Sequence, residues 1–236
     1  MTRPKAPSLR FERSLLRDGL VSLAGCDEVG RGALCGPVTV GAVLITATTK
    51  TAPQGVRDSK LLTAQARRRL VPRIQRWATS YAVGHASPAE IDEFGLMTAL
   101  RLAGHRALVQ LTDTPATVLL DGNHDYLSSP AQTSLLEPPP VLGVVPPVVT
   151  MIKADLRCAA VAAASILAKT ARDEIMVRLA DEFPGYGWAD NKGYSAPEHI
   201  AALAELGPTP HHRVSWSLPG VQTVSTRGQE TMEEAR

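Results

Sequence analysis

A chain of 236 residues with 44% apolar and 20% charged side chains has the balance of one folded globular domain, not of a disordered, collagenous or coiled-coil protein. A net charge of +2 neither requires nor excludes a nucleic-acid partner, and 4% aromatics is too few for a surface built mainly of base-stacking platforms. No apolar run approaches the roughly 20 residues of a membrane span. The first residues carry no apolar leader segment, and Cys26, Cys35 and Cys158 lack the spacing of a zinc site or a disulfide framework. A reduced, cytoplasmic, monomeric protein is the expectation.

Residues 1–20 read as a polar, Arg-containing lead with a short helix. VSLAGCD (21–27) and PVTVGAVLIT (37–46) are rich in β-branched residues and separated by Gly-rich turn signals, as an antiparallel strand pair would be. Leu70 and Ile74 set a helical spacing over 64–76, and WATSYAVGHA (77–86) reads as a third strand. A long amphipathic helix then begins at Ser87 as N-cap, with Pro88 at its first position and Glu90 placed for a capping box. ATVLLDG and PPVVTMIK are two further short strands, and the Pro-rich LEPPPVLGVVPP stretch between them reads as a turn-laden connection. From Asp155 to Glu182 an alanine-rich helix offers a face for close packing on a sheet. The pattern predicts a mixed five-stranded α/β sheet with helices on both faces, spanning 21–220, and a flexible tail over 221–236.

On this map Asp27 closes the first strand, followed at once by Glu28 and by Arg31 between two glycines. Asp121 closes the fourth strand, and Asp155 follows the fifth, where it could also cap the alanine-rich helix. Read one at a time, each acid is an ordinary turn or cap residue. Were the three strands neighbours, their ends would bring Asp27, Glu28, Asp121 and Asp155 together. Two carboxylates about 4 Å apart repel by about 4 kcal/mol at an effective dielectric near 20, so a gathering of four calls for protonation or cations. Oxygen-only donors suit Mg²⁺ or Mn²⁺.

With those acids stand AGCDEVGRGALCGPVTVGAVL, DSKLL (58–62), LLDGN (119–123), KAD (153–155), AAASILAKTARD (162–173), YGWADNKGYS (186–195) and HHRVSW (211–216). In this order they make the sequence resemble the bacterial ribonuclease HII family of type 2 ribonucleases H. The resemblance implies a ribonuclease H-like sheet with a C-terminal helical extension. It implies hydrolysis of the RNA strand of RNA–DNA hybrids, including 5′ of a single ribonucleotide in duplex DNA, by two metal ions held on Asp27, Glu28, Asp121 and Asp155. It also implies that Gly30, Arg31 and Gly32 contact the ribose 2′-hydroxyl and adjacent phosphate, and that Tyr194 stacks on the sugar at the RNA–DNA junction.

Ser165, Lys169 and Asp173 recur every four residues beside Arg172, forming a polar stripe on an apolar helix. The stripe reads either as a solvated edge or, as the resemblance implies for Ser165 and Lys169, as phosphate contacts. Ser59 and Lys60, in the DSK turn, are similar candidates. Asn191 stands where relatives carry His before KG, and KGYS lacks the Pro or Thr that often follows the tyrosine. Tyr186 is a rival to Tyr194 for stacking. His124 and Asp125 lie near Asp121 but in a loop that favours exposure. His211 and His212, being adjacent, more readily pack or bind backbone with Arg213 than share an ion. Trp77, Trp188 and Trp216 read as packing anchors. A sliding-clamp partner has no motif in the tail to support it. A sheet that binds nucleic acid without chemistry, or a DNA-only nuclease, are the rival readings; the four acids argue against the first and the GRG–tyrosine pairing against the second.

Overall fold

The computed structural model describes residues 6–128, 138 and 141–221. In chain order it contains α1 (Arg10–Arg17), β1 (Ser22–Val29), β2 (Val38–Thr46), α2 (Ala64–Trp77), β3 (Ser80–Ala86), α3 (Pro88–Phe94), α4 (Leu96–Leu108), β4 (Val118–Asp121), β5 (Val148–Met151), α5 (Ala159–Glu182), α6 (Trp188–Asn191) and α7 (Pro197–Leu206). The sheet order is β3-β2-β1-β4-β5. β1, β2 and β3 pair antiparallel, whereas β4 and β5 run parallel to β1. The strands that end in or near the acids are therefore neighbours, which meets the condition for their acids to gather. Among the described residues no helix is long and apolar enough to cross a membrane.

Side-chain alternation along the strands divides the interior in two. Ala24, Cys26, Val40, Ala42 and Leu44 face α4, while Leu23, Val43, Ile45 and Leu119 face α5. Two strand glycines let α5 settle onto that second face. A Cβ on Gly25 would meet the backbone of Ala160 and Val161, and one on Gly41 would run into the Ala164 carbonyl oxygen. Gly84 serves α4 in the same way on the other face, against the backbone of Ala103 and Ala107. The close seating lowers α5 until Ser165 stands beside Asp27, whose cross-strand partner is Gly41. A third cluster, of Leu34, Cys35, Met176, Tyr186, Trp188 and Leu203, builds the C-terminal helical extension around the end of α5.

Several boundaries differ from expectation. The helix after Ser87 keeps its capping box but breaks at Gly95, whose φ of 78° interrupts the helical path, so α3 and α4 are separate. β1 runs on to Val29, so Asp27 does not end it. The alanine-rich helix starts at Ala159 rather than Asp155, with Cys158 as an N-cap that makes no side-chain bond. Asp155 does not cap it. Glu12 of α1, completely buried, accepts from the Ala160 N–H at 3.0 Å and supplies that carboxylate from elsewhere in the chain. The N-terminal lead thus packs into the main core through Leu9, Glu12 and Leu16. The C-terminal stretch from 222, and residues 136, 137, 139 and 140 of the Pro-rich connection, lie outside the described residues.

The tight seating of α5 carries a consequence for stability. Gly41→Ala should destabilise the protein by about 1–3 kcal/mol, the usual cost of an overpacked interior, measured by denaturant unfolding.

Candidate active site

β2 flanks β1 along its length, but β4 pairs with β1 only at Ala24–Cys26, because β4 stops at Asp121. From Asp27 onward β1 has no strand on that side. Strand alternation sends Asp27 towards α5 and Glu28 towards the opposite face, where Tyr126 Oη donates to it at 3.4 Å. Both carboxylates border the space vacated by β4, and the acid at the end of β4 acts on each: Asp121 disfavours ionisation of Asp27 and of Glu28. Adjacent acids on an unbroken strand thereby share one site because their neighbour strand ends there.

Asp155 arrives by a turn. After β5, Lys153 takes a left-handed conformation (φ 57°), uncommon for a residue with a side chain, and begins a single helical turn over Ala154–Leu156. Asp121 Oδ1 accepts from the Ala154 N–H at 2.6 Å and pins the turn. Burial, then the charge of Asp121, push the Asp155 carboxyl up to about 6. Asp27 is raised well above the carboxylate range by burial; its hydrogen bond with Ser165 opposes this, and Glu28, Asp121 and Asp155 add to it. Burial also raises Glu28, with Asp121 adding to the shift and Arg31, 3.8 Å away, opposing it.

These groups have the chemistry of a hard-cation site: several oxygens, no nitrogen or sulfur, and charge that the chain itself leaves poorly balanced. Lys60 is an ammonium that feels these acids and opposes the rise of Asp155. Burial would lower its pKa, but Asp27, Asp58, Asp155 and Asp121 outweigh that and hold it above its usual value. The acids do not form one tight shell. Among the described residues, the trio of potential ligands that lies within 4.8 Å of one another is Cys35, His199 and His212, in the C-terminal extension.

The remaining candidate residues fall into two groups. Ser59 and Ser165 are both buried, and their hydroxyls, 2.8 Å apart, form a short chain ending on Asp27. Asp58 caps their turn by accepting from the Lys60 N–H at 2.9 Å. Arg67 of α2 donates to the Ser59 and Leu62 carbonyls and pairs with Asp173 at 3.0 Å, while Lys169 pairs with the same carboxylate at 2.6 Å. The polar stripe of α5 is therefore an internal brace for the DSK turn, and the solvated-edge reading of Asp173 fails.

Arg31 and Gly32 are exposed, on a loop that opens at Gly30. Two arginines with no exposed surface hold this loop. Arg172 donates to the carbonyls of Pro37, Cys35 and Lys192, and Arg213 to those of Gly30, Arg31 and Gly36. Gly30 has φ 87°, and a Cβ there would overlap Arg172 Nε, so conformation and space both demand glycine. The Tyr194 ring, half-buried, lies beside the loop with Arg172 Cζ 5.3 Å and Lys169 Nζ 5.7 Å from its centroid. Asn191 shapes the approach to it, accepting from the Gly193 N–H and donating to the Tyr186 carbonyl, each at 2.8 Å.

Tyr186 is buried, stacked on Trp188, and donates its hydroxyl to the Gly207 carbonyl, which removes it from the surface. His124 is exposed and Asp125 caps the turn that follows it. Trp188 is a core residue, Trp77 anchors α2 on the Lys50 carbonyl, and Trp216 stacks under Arg213. Sequence reasoning placed Arg213 among residues that pack or bind backbone, as it does here, but missed which loop it holds and missed the loop-holding role of Arg172 altogether. Their positions were visible in ARD and HHRVSW, but no local pattern marks an arginine as buried.

The family model for ribonuclease HII matches residues 24–218, nearly all of the described chain. The chain belongs to the ribonuclease HII family. It is thus a nuclease, and its mixed sheet is the ribonuclease H-like sheet expected from the motifs. Ribonuclease HII of Streptomyces avermitilis is 49% identical over 212 residues, covering 89% of this chain and 84% of that protein. The crystal structure of ribonuclease H2 from Pyrococcus horikoshii aligns with TM-score 0.67 at 27% identity, over 84% of this chain and 95% of that one. The ribonuclease HII of Archaeoglobus fulgidus, in a structure of its complex with PCNA, aligns with TM-score 0.62 at 27% identity, over 86% and 98%.

In a ribonuclease HII whose acids repel one another, removing the charge of Asp121 should relieve the protein. Asp121→Asn keeps an oxygen for the Ala154 N–H, so the metal-free variant should unfold at a higher temperature than the parent at pH 7 and 8. The same repulsion sets a pH trend. A carboxyl raised to about 6 in the fold binds more protons folded than unfolded between its ordinary value of 3.8 and 6, so its contribution to metal-free stability falls as pH rises through that window. Divalent ions should suppress this fall, as read from melting temperatures with and without chelator.

Proposed function

We propose that this protein is an endoribonuclease that hydrolyses the RNA strand of RNA–DNA hybrids and cuts 5′ of a single ribonucleotide embedded in duplex DNA. The observation that carries the reading is the meeting of Asp121 with Asp27, Glu28 and Asp155 at the end of β4, beside a loop held open for close approach of a sugar. Asp27, Glu28, Asp121 and Asp155 would hold two Mg²⁺ or Mn²⁺ ions. When bound, these supply the charge that activates water and stabilises the leaving oxygen, so that 3′-hydroxyl and 5′-phosphate ends result.

Gly30, Arg31 and Gly32 read the 2′-hydroxyl, the group that separates RNA from DNA. The exposed backbone at Arg31 and Gly32 and the Arg31 side chain can reach it because Arg172 and Arg213 hold the loop, with buried Gly30, from beneath. Tyr194 presents a half-buried ring for stacking at the junction. Lys60 and Lys169 offer ammonium groups to phosphates, whereas Ser59 and Ser165, both buried, act by fixing the DSK turn and Asp27. Duplex DNA containing ribonucleotides is then the substrate. All three cysteines are buried and unpaired, which suits a reducing cytoplasm. PCNA bound to the archaeal relative makes a sliding clamp a candidate partner here too.

The test is a DNA duplex carrying one ribonucleotide, incubated with Mg²⁺ or Mn²⁺ and with chelator. A single cut 5′ of the ribonucleotide, stopped by chelation, with an all-DNA duplex left intact, is expected; cleavage of the all-DNA duplex would favour a DNA nuclease instead. Asp27→Asn and Asp121→Asn should each lower turnover on the order of a thousandfold, equivalent to the several kcal/mol a metal contributes to the transition state, with hybrid binding retained. Tyr194→Ala should reduce incision at the isolated ribonucleotide about tenfold, in keeping with the loss of one stacking platform.

A further inference from the structure

His199 and His212 are buried together beneath the Tyr194 loop, with 0% and 1% of their surface exposed. Their neighbours decide which ring nitrogens carry protons. The Thr209 backbone N–H donates to His212 Nδ1 at 2.9 Å, so that nitrogen is bare. The Tyr194 carbonyl, 2.8 Å from His199 Nδ1, can only accept, so that nitrogen carries its proton. The Trp188 indole N–H donates to His199 Nε2 at 3.1 Å, which leaves that nitrogen bare as well. Burial keeps both rings neutral, holding His212 down near 4. A neutral His212 then carries its proton on Nε2 and donates it to His199 Nε2, 3.0 Å away, whose single lone pair it shares with the Trp188 indole N–H. A single directed chain results, from Thr209 through His212 and His199 to the backbone of Tyr194.

Cys35 Sγ also lies within 4.8 Å of these rings. In the metal-free protein the two rings are joined by a hydrogen bond and burial pushes the Cys35 thiol up to about 12, so a metal there would have to displace protons from His212 Nε2 and from the thiol. The hydrogen-bond chain accounts for the group without a metal. What the chain connects is more telling. His212 bridges Cys35, the Gly36 N–H donates to the His211 carbonyl at 2.8 Å, and Arg213 grips the carbonyls of Gly30, Arg31 and Gly36. Adjacent residues of one segment thus hold the two readers of the substrate, Arg213 the loop and His212, through His199, the tyrosine.

We propose that His199 and His212 are positioning residues that register Tyr194 against the Gly30–Gly32 loop, and that preference for an isolated ribonucleotide over a long hybrid depends on this register. The inference rests on the junction reading given under Proposed function. An isolated ribonucleotide offers one 2′-hydroxyl beside one junction, so both readers must fit it at once. A long hybrid offers a 2′-hydroxyl at every step, so a misplaced tyrosine costs less there.

The test compares His212→Leu, His212→Gln and Tyr194→Ala, singly and with His212→Leu added to Tyr194→Ala, on a one-ribonucleotide duplex and on a long hybrid. His212→Leu should lower kcat/KM on the first about tenfold, as for loss of one buried hydrogen bond, with a smaller loss on the second. His212→Gln, whose amide N–H can reach His199, should recover most of it, and His212→Leu should add nothing in the Tyr194→Ala background. Nitrogen-15 NMR of the unaltered protein should find His212 protonated on Nε2 and His199 on Nδ1, whether or not His212→Leu folds.

Equal losses on both substrates, additive losses in the double variant, or the opposite protonation pattern would overturn the inference. So would stoichiometric Co²⁺ binding with a thiolate absorption band that Cys35→Ser removes. If Tyr194→Ala leaves incision unchanged, the junction reading falls and takes the preference with it, while the NMR result separately decides the hydrogen-bond chain.

Discussion

Repulsion between carboxylates is the constraint around which this structure is organised. Four acids from β1, β4 and the turn after β5 approach one another where β4 ends, and burial makes the ionisation of Asp27, Glu28 and Asp155 harder still. Left to themselves they would separate or take up protons. They are kept together by packing that has nothing to do with charge: the sheet fixes Asp27, Glu28 and Asp121, and the Ala154 N–H fixes the turn bearing Asp155 to Asp121. Apolar burial elsewhere in the molecule offsets that repulsion, and divalent cations would remove most of it.

The same seating of α5 on the sheet serves both halves of the site. Because Gly25 and Gly41 bring the helix close, Ser165 reaches Asp27 and Arg172 reaches the glycine loop from one rigid rod. A loop without bulky side chains cannot order itself, since glycine loses the most conformational freedom on folding. Here the ordering comes from guanidinium groups that spend their donors on loop carbonyls. Arginine suits this role because its planar fork meets several carbonyls at once and it stays charged when buried.

Much of this was legible in the chain. The β-branched runs announced the strands, Ser87-Pro88 with Glu90 announced a helix start that the structure reproduces as a full capping box, and DEVGRG, LLDG and KAD marked where the acids would fall. Boundaries were less legible. Gly95 stops a helix that periodicity would continue, and Asp155, an ordinary capping residue by type, is drawn into a turn by its neighbour Asp121 while Glu12 caps α5 from far away in sequence. Periodicity cannot report a partner that lies elsewhere in the chain.

The sequence by itself determined which residue types were available: carboxylates in or soon after the strands, glycines where a Cβ could not fit, an alanine-rich helix able to lie close to a sheet. Only the tertiary structure decided that the pairing of β4 with β1 ends at Cys26, one residue before Asp27, so that neighbouring acids on opposite faces open onto a common space. It also decided that Asp173 braces a turn, that Tyr186 is spent in the core and Tyr194 is not, and that two arginines and two histidines are internal supports. Strand length and pairing are settled by the balance of all contacts along a sheet, and burial by what packs above, and neither quantity is written in a local stretch of residues.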